Sequence, residues 1–252
     1  MSREYVSVAA AIALPGLRIA FTQGVPGPWG EACKAIFQIK KIPFTPVLQV
    51  GGAPNEELRA WTGQNSAPCA MLNDERPRAH WSELLLLAER LQAEPRLVPA
   101  NEDDRTAMFG IAHELCGEDG FGWSGRLITF EVIESAGIAL DGMRRKFANS
   151  APLEHAKQRM AAVMDALAAR LQRQQASGSA YVVGNTLSAA DIYWTAFSTM
   201  LAPFAQTDCP MPDYYLDWCK GAAQLAGLQV PPILIEHRER ILHRYFCLPL
   251  WL

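Results

Sequence analysis

The sequence predicts an α/β domain followed by an all-helical domain. Between residues 15 and 93, short apolar segments typical of strands alternate with amphipathic segments typical of helices. The stretch from Glu94 to Ala100 contains two prolines and little hydrophobic periodicity, which is typical of a linker. From Asn101 onward, apolar residues recur at helical spacing. We therefore expect one domain over residues 15–93 and a second over residues 101–252.

The first domain is organised around Leu17–Ile42, which has the pattern of a strand, a turn and a helix. A short apolar run ends at Thr22, and Gln23–Gly30 contains two prolines and three glycines, which predicts irregular structure. Apolar residues then recur at helical spacing: Ala32, Ala35, Ile36 and Ile39. Such a turn directs backbone N–H groups and the positive end of the helix dipole to one point. Thiolates and carboxylates are stabilised at such a point.

The rest of the first domain alternates in the same way. The arm Val6–Leu14 is too short and too mixed in flanking charge for an export signal, so we expect an irregular or strand-like segment. The later predicted elements are a strand Pro43–Val50, a helix Asn55–Trp61, a strand after Pro68, a fourth strand Pro77–Trp81 and a helix Glu83–Gln92 capped by Ser82.

The second domain contains a strong helix-start signal. Ser188 and Asp191 have the spacing of a capping box, and Leu187 and Ile192 occupy the positions of a hydrophobic staple. We expect a core helix that begins at Ala189. The other predicted helices start at Asn101 or lie around Leu127–Ser135, Pro152–Gln175, Asp213–Lys220 and Pro232–Tyr245, and Gly117–Gly125 is predicted as a loop.

Composition excludes several classes of function. The net charge of −3 gives no indication of a nucleic-acid or anionic-membrane partner. The six cysteines lack CxxC spacing, so neither a zinc finger nor a dithiol redox centre is indicated, and no metal is expected. Free thiols are typical of a reducing compartment, so we expect a cytoplasmic protein. No apolar run is long enough to span a bilayer.

The order of elements, Pro68 before a strand, Ser82 at a helix start and the segment VVGNTLSAADIYWTAF together resemble the glutathione transferase family over roughly residues 15–245. The resemblance implies an α/β thioredoxin-like N-terminal domain followed by an all-α helical-bundle C-terminal domain. It also implies glutathione as co-substrate, a small hydrophobic electrophile as second substrate, and a homodimer.

The resemblance implies a set of glutathione-binding residues in the first domain. Pro68 resembles the family's cis-proline, and the backbone of Ala67 would pair with the cysteinyl part of glutathione. Ser82 resembles the serine that holds the γ-glutamyl carboxylate. Trp81 departs from the family's acidic residue or glutamine, because an indole cannot accept from the ammonium group. The full candidate set is Gly27, Trp29, Gly30, Ala67, Pro68, Trp81 and Ser82.

The opening turn lacks the family's usual activating side chain. The serine or cysteine of many classes would fall at Gly27, the second position of a glutaredoxin-like pair at Gly30, and the tyrosine of other classes near Gln23. The catalytic candidates are therefore Thr22, which could donate to a thiolate or serve only the turn, and Gln23. An amide can stabilise a thiolate but cannot take its proton. Cys33 lies a turn inside the helix and is expected to be a packing residue.

Five residues near the glycine-rich break of the second domain are candidates for the electrophile pocket, because in this family the first helix of that domain faces the glutathione site. They are His113, Glu114, Cys116, Trp123 and Arg126. Structural packing is the alternative for each of them. The apolar tail Phe246–Leu252 would either pack on its own domain or close that pocket.

The sequence therefore predicts a protein that conjugates glutathione to a hydrophobic electrophile with weak side-chain activation of the thiol. The alternative is a non-catalytic binding or interaction module with the same fold, which the missing hydroxyl and Trp81 favour. A thiol–disulfide oxidoreductase is disfavoured because Gly27 and Gly30 are not cysteines.

Overall fold

A computed structural model describes residues 4–147 and 151–252, which divide into two compact units. The first unit runs to Pro95 and also includes Gln206–Met211 and Phe246–Leu252. The second comprises Arg96–Ala205 and Pro212–Tyr245. The tail from Phe246 thus belongs to the first unit, whereas the sequence-based boundaries placed it in the helical domain.

The first unit contains a small mixed sheet and four helices among its described residues. Its elements are α1 (Val8–Ile12), β1 (Leu17–Thr22), α2 (Pro28–Ile39), β2 (Thr45–Gln49), α3 (Glu56–Thr62), β3 (Cys69–Leu72) and α4 (Trp81–Leu91). Strand β1 lies between the other two, parallel to β2 and antiparallel to β3. The described strands therefore form a sheet in the order β2-β1-β3.

Strand β1 is buried because it is covered on both faces of the sheet. Ala20 lies beside Val47 and Cys69 on the neighbouring strands, and this row packs against α1 and α3 in one cluster with Val8, Ala11 and Leu58. Phe21 points to the other face, where its ring lies 5.7 Å from that of Phe44. Since both faces are covered, the sequence of the strand shows a continuous run of apolar residues rather than an alternation of apolar and polar residues.

Two predictions for the first unit need correction. The predicted fourth strand at Pro77–Trp81 is wrong: Arg78 forms only an isolated bridge with Ala70, and Trp81 already belongs to α4. The N-terminal arm was expected to be irregular or strand-like. Val6 does bridge Val47 of β2, but the chain then forms α1, whose first turn is capped by Ser7.

The second unit is helical. Its elements are α5 (Glu102–Cys116), α6 (Phe121–Ser135), α7 (Asp141–Lys146), α8 (Leu153–Ala176), α9 (Ala189–Phe197) followed by a 3-10 turn Ser198–Met200, α10 (Asp213–Ala226) and α11 (Pro232–Tyr245). Sequence reasoning missed α7 and began α6 too late, because glycines suggested a loop. A Cβ on Gly125 would lie 2.8 Å from the terminal methyl carbon of Met200, so the methionine side chains pack closely against this glycine.

Asp191 ties together the start of α9, as the capping-box spacing predicted. Its carboxylate accepts from the backbone N–H of Ser188 at 2.9 Å, from the Ser188 hydroxyl at 2.8 Å and from the N–H of Val182 at 2.8 Å. His237 of α11 places its Nε2 atom 3.0 Å from the same carboxylate. All of these groups are buried, so the carboxylate satisfies donors that have no access to water.

Replacing Asp191 by alanine should destabilise the protein strongly. The change leaves two buried backbone N–H groups without their acceptor, which costs about 3 kcal/mol or more in the free energy of unfolding. Chemical denaturation of Asp191→Ala measures this loss. The matched control is Asp165→Ala, an exposed aspartate on α8, with an expected change below about 0.5 kcal/mol. Equal stability of the two variants would contradict the role assigned to Asp191.

Candidate functional site

The strand register brings four candidate segments to one end of the sheet. Ala20 pairs with Cys69, so continuing the antiparallel register by two residues places Ala67 opposite Thr22. The bridge between Ala70 and Arg78 likewise directs the chain towards His80 at the same end. The turn that follows Thr22 starts there too. The carboxyl end of β1 therefore lies beside Ala67, Pro68 and the start of α4.

Helix α2 begins closer to this end of the sheet than the sequence suggested. Gly27 is its N-cap and Pro28 its first residue, so Trp29 and Gly30 lie in the first helical turn rather than in an irregular loop. Proline at the first helical position costs no hydrogen bond, which explains the early start. The N–H of Glu31 is bonded to the Gly27 carbonyl at 2.9 Å. The N–H groups at the start of α2 have no partner of the preceding turn and point out of the N-terminal end of the helix.

The Thr22 hydroxyl is engaged within the sheet. It donates to Oε1 of Gln49 at 2.5 Å, and the amide nitrogen of Gln49 donates to the carbonyls of Val50 and Asn65. These bonds fix the Gln49 amide so that its oxygen faces Thr22. Of the two alternatives for Thr22, the structure therefore favours a role in the sheet and turn over donation to a thiolate.

Gln23 remains the candidate side chain that is open to a ligand. Its backbone N–H donates to the Gln49 carbonyl at 3.3 Å, which fixes the position of the residue. Its side chain is exposed and makes no hydrogen bond with residues 4–147 or 151–252. The amide is thus free to donate to an anion at the end of β1, although it cannot act as a base.

The start of α4 differs from the prediction, because His80 and not Ser82 is the N-cap. Nδ1 of His80 lies 2.7 Å from the Ser82 hydroxyl and accepts from the Ser82 N–H at 3.4 Å. Glu83 completes the capping box by accepting from the His80 N–H. Burial acts to raise the pKa of Glu83, but its bonds to Arg76 and to backbone N–H groups lower the pKa overall. The His80 imidazole thus caps the start of α4 and engages the Ser82 hydroxyl.

The Ala67–Pro68 peptide bond is cis, as the resemblance implied. Pro68 and Trp81 are buried, whereas Ala67 and Ser82 are partly exposed. Ala67 and Ser82 are thus the members of this group with exposed surface that a ligand could contact.

A buried ion pair lies on the inner face of α2. Lys34 contacts Glu31 at 2.9 Å, and both side chains are about 3% exposed. Lys34 also donates to the backbone carbonyl of Trp251 at 2.8 Å and lies 4.3 Å from the centre of its ring. The tail from Phe246 is therefore held against the first unit by Lys34. This packing differs from the first alternative offered by the sequence, in which the tail would pack on the helical domain.

The cysteine nearest the turn is not chemically activated. Cys33 is buried, and this burial raises the pKa of its thiol well above the ordinary value despite the opposing charge of Lys34. A protonated, buried thiol is neither nucleophilic nor accessible. The structure thus agrees with the packing role that the sequence suggested.

The candidates for the electrophile pocket have different environments within the second unit. His113 and Glu114 are exposed near the end of α5, and Glu114 forms an ion pair with Arg159. Cys116 is buried, which raises the pKa of its thiol well above the ordinary value. A packing role is therefore the simpler explanation for Cys116, whereas His113 is exposed.

Trp123 and Arg126 do come together. Both lie in α6, one turn apart, and the Arg126 guanidinium is 4.8 Å from the centre of the Trp123 ring. It is also 4.0 Å from the ring of Phe147, which follows α7. Sequence reasoning did not find Phe147, because the approach of α7 to α6 leaves no local signal. It also missed His80 and Gln49, whose partners depend on the fold.

The similarities to known proteins are similarities to solved structures. Neither a scan against protein-family models nor a search of curated protein sequences finds a match. A glutathione S-transferase domain-containing protein of Marinobacter aquaeolei VT8 matches with a TM-score of 0.63 at 16% identity, over 90% of this chain and 98% of that chain. A glutathione S-transferase of Methylobacterium radiotolerans, solved in complex with glutathione sulfonate, matches with a TM-score of 0.57 at 18% identity, over 88% of this chain and 93% of that chain.

A third match is a glutathione S-transferase of Methylobacillus flagellatus solved with glutathione bound. Its TM-score is 0.58 at 15% identity, over 88% of this chain and 98% of that chain. These similarities confirm the predicted fold class, an α/β thioredoxin-like N-terminal domain followed by an all-α helical-bundle C-terminal domain. The chain therefore has the glutathione S-transferase fold.

Thiol labelling should separate Cys247 from the five buried cysteines. Cys247 is the exposed thiol, whereas Cys33 is buried with a raised pKa. We expect a chromogenic disulfide reagent to modify one thiol rapidly in the folded protein and the other five only after unfolding. Cys247→Ala should abolish the rapid phase, while Cys33→Ala should retain it. A rapid phase lost in Cys33→Ala would contradict the packing role of this residue.

The variant Lys34→Met should lose stability in a pH-dependent way. Burial raises the pKa of Glu31, and Lys34 partly offsets this effect, so removing Lys34 raises the pKa further. A carboxyl group with a raised pKa in the folded state favours folding most below its unfolded pKa, and this contribution is lost as pH rises through the folded pKa. We therefore expect a small deficit in acid that grows to about 3–5 kcal/mol at higher pH.

Thermal or chemical unfolding of Lys34→Met and the wild type across a pH series measures this deficit. Lys41→Met, which changes an exposed lysine of the same unit, is the control and should match the wild type. A loss of stability in Lys34→Met that is independent of pH would show that the unpaired Glu31 carboxylate is not its cause.

Proposed function

We propose that the first unit binds glutathione at the carboxyl end of β1 and that the protein transfers the glutathione sulfur to an electrophilic carbon. The observation that carries this proposal is the convergence of the β1 end, the start of α2, Ala67 and the start of α4 at one end of the sheet. The glutathione or glutathione sulfonate bound in structural neighbours supports the same ligand class.

The arrangement suits a peptide that carries carboxylates. Ala67 is partly exposed and offers its backbone to the cysteinyl part of the ligand, as the resemblance implies. Ser82 would hold the γ-glutamyl carboxylate together with the N–H groups of the first turn of α4. Since the Ser82 hydroxyl contacts Nδ1 of His80 at 2.7 Å, it must turn its hydrogen from the imidazole to the carboxylate when glutathione binds.

The chemistry would depend on backbone groups more than on side chains. The thiol of glutathione loses its proton to water, and the thiolate is stabilised by N–H groups of the first turn of α2 and by the helix dipole. Gln23 can add one amide donor. The sulfur then forms a bond with the electrophilic carbon as the leaving group departs with its electron pair. Such weak activation predicts slow turnover of general aromatic electrophiles.

A non-catalytic binding module is the second candidate. It is favoured by the glycines at positions 27 and 30 and by the engagement of the Thr22 hydroxyl with Gln49. The two candidates differ in the state of the bound thiol. Ultraviolet absorbance of the thiolate, followed over pH, would show a lowered thiol pKa in a transferase and an unchanged one in a binding module.

Other parts of the proposal come from the resemblance and from composition. We place the electrophile-binding residues in the second unit, among His113, Glu114, Cys116, Trp123 and Arg126, with Trp123 and Arg126 the members that lie together. Assembly as a homodimer and a cytoplasmic location remain predictions. No described helix combines the length and the apolar character needed to cross a bilayer.

Isothermal titration with glutathione tests the proposal. We expect the wild type to bind and Ser82→Ala to bind about tenfold more weakly or worse, because the carboxylate loses a charge-assisted hydrogen bond. Ser177→Ala, which removes an exposed hydroxyl in the second unit, is the matched control and should bind like the wild type. Absence of heat and of thermal stabilisation at millimolar glutathione would refute glutathione binding.

A further inference from the structure

Gln49 lies at the end of β2, beside the carboxyl end of β1. It stands next to Thr22 in the parallel register, and its backbone carbonyl accepts from the N–H of Gln23 at 3.3 Å. Gln49 is only 4% exposed, so its side-chain amide has little access to water. A buried amide needs partners within the protein for its oxygen and for its N–H groups.

The chemistry of these partners fixes the orientation of the amide. Oε1 of Gln49 accepts from the Thr22 hydroxyl at 2.5 Å. Nε2 donates to the carbonyls of Val50 at 2.9 Å and of Asn65 at 3.2 Å. The two carbonyls can only accept, so the nitrogen of the amide must face them and its oxygen must face the hydroxyl. One side chain therefore connects the end of β1 to the backbone at Asn65.

The segment that leads to Ala67 lies between α3 and β3. In the part of the chain that the structure describes, the pairing of β3 with β1 begins only at Cys69. Asn65 precedes Ala67 by two residues, and the bond between Ala67 and Pro68 is cis. The hydrogen bond from Gln49 therefore holds the backbone just before the residue that would pair with the cysteinyl part of glutathione.

We propose that Gln49 is a positioning residue of the glutathione site. By holding the Asn65 carbonyl from the end of β2, it sets the distance between the backbone of Ala67 and the end of β1. Gln49 is buried, so it acts through Asn65 and Thr22 rather than by touching the ligand. This inference rests on the proposed function and adds to it a residue that determines how well the site fits the peptide.

Gln49→Glu tests the proposal because it keeps the size of the side chain and makes its hydrogen bonds depend on pH. An ionised carboxylate can only accept, so it would repel the carbonyls of Val50 and Asn65, whereas a protonated one donates to one of them and still accepts from Thr22. We expect this variant to bind S-methylglutathione about tenfold more weakly than the wild type at about pH 8 and within about twofold of it at about pH 5.5.

Isothermal titration of the full chain measures this ratio. S-methylglutathione is the probe because its sulfur carries no proton, so the affinity reports the peptide and the carboxylates of the ligand. Gln174→Glu is the matched control, since Gln174 also donates to two backbone carbonyls, those of Tyr181 and Gly184, but within the second unit. It should lose stability and still bind S-methylglutathione like the wild type in both buffers.

The wild type supplies a second measurement, which decides the matter even if Gln49→Glu does not fold. In heteronuclear NMR spectra, the side-chain amide of Gln49 should shift when S-methylglutathione binds, because its partners Thr22 and Asn65 border the site. The side-chain amide of Gln174 should not shift.

Three results would overturn only the positioning role: equal affinity of Gln49→Glu and the wild type at the higher pH, a loss of affinity that does not recover at the lower pH, or an unshifted Gln49 amide in a wild type that binds the probe. If the wild type binds neither glutathione nor S-methylglutathione, the proposed function is refuted, and the positioning role with it. Titrating both ligands into the wild type therefore distinguishes the two failures.

Discussion

The pairing of β1 along both of its edges places Ala67, Pro68 and the segment before α4 beside the carboxyl end of the strand. Because β1 is parallel to β2 and antiparallel to β3, its carboxyl end meets the amino end of β3 and the segment that leads into α4. The strand can occupy this central position because helices cover both of its faces, as the row Val47, Ala20 and Cys69 shows on one side. The N-termini of α2 and α4 and the partly exposed backbone at Ala67 therefore lie at one end of the sheet. No single sequence motif predicts this arrangement.

That convergence is the basis for proposing an anionic peptide as ligand at a site that lacks an activating hydroxyl. Backbone N–H groups and helix dipoles are present whatever the side chains are, so binding depends on topology, whereas activation depends on single residues. Here the hydroxyl of Thr22 donates to Gln49, and the resemblance would place the usual nucleophile or donor at Gly27 and Gly30. Binding is therefore better supported than fast chemistry. If conjugation occurs, the electrophile needs a recognition site of its own.

Local sequence signals predicted the elements well where a helix or strand is determined by its own residues. The capping box at Ser188 and Asp191 located the start of α9, and the apolar run before Thr22 located β1. Predictions were wrong where contacts between residues far apart in the sequence determine the local structure. Gly125 lies within α6, where Met200 packs against it, and His80 rather than Ser82 caps α4 because the imidazole accepts from the following turn. The sequence could name Arg126 and Trp123, but the approach of Phe147 depends on how α7 packs.

Hydrogen–deuterium exchange with and without glutathione tests the central claim most directly, because it reports which backbone amides a ligand protects. Our account predicts slower exchange in peptides that cover residues 23–31, 66–69 and 80–84, the three segments that meet at the carboxyl end of β1. Peptides from the opposite end of the sheet, around Gly16 and Asn73, should exchange at the same rate in both samples. Protection confined to other segments, or no protection at saturating glutathione, would contradict a glutathione site at this end of the sheet.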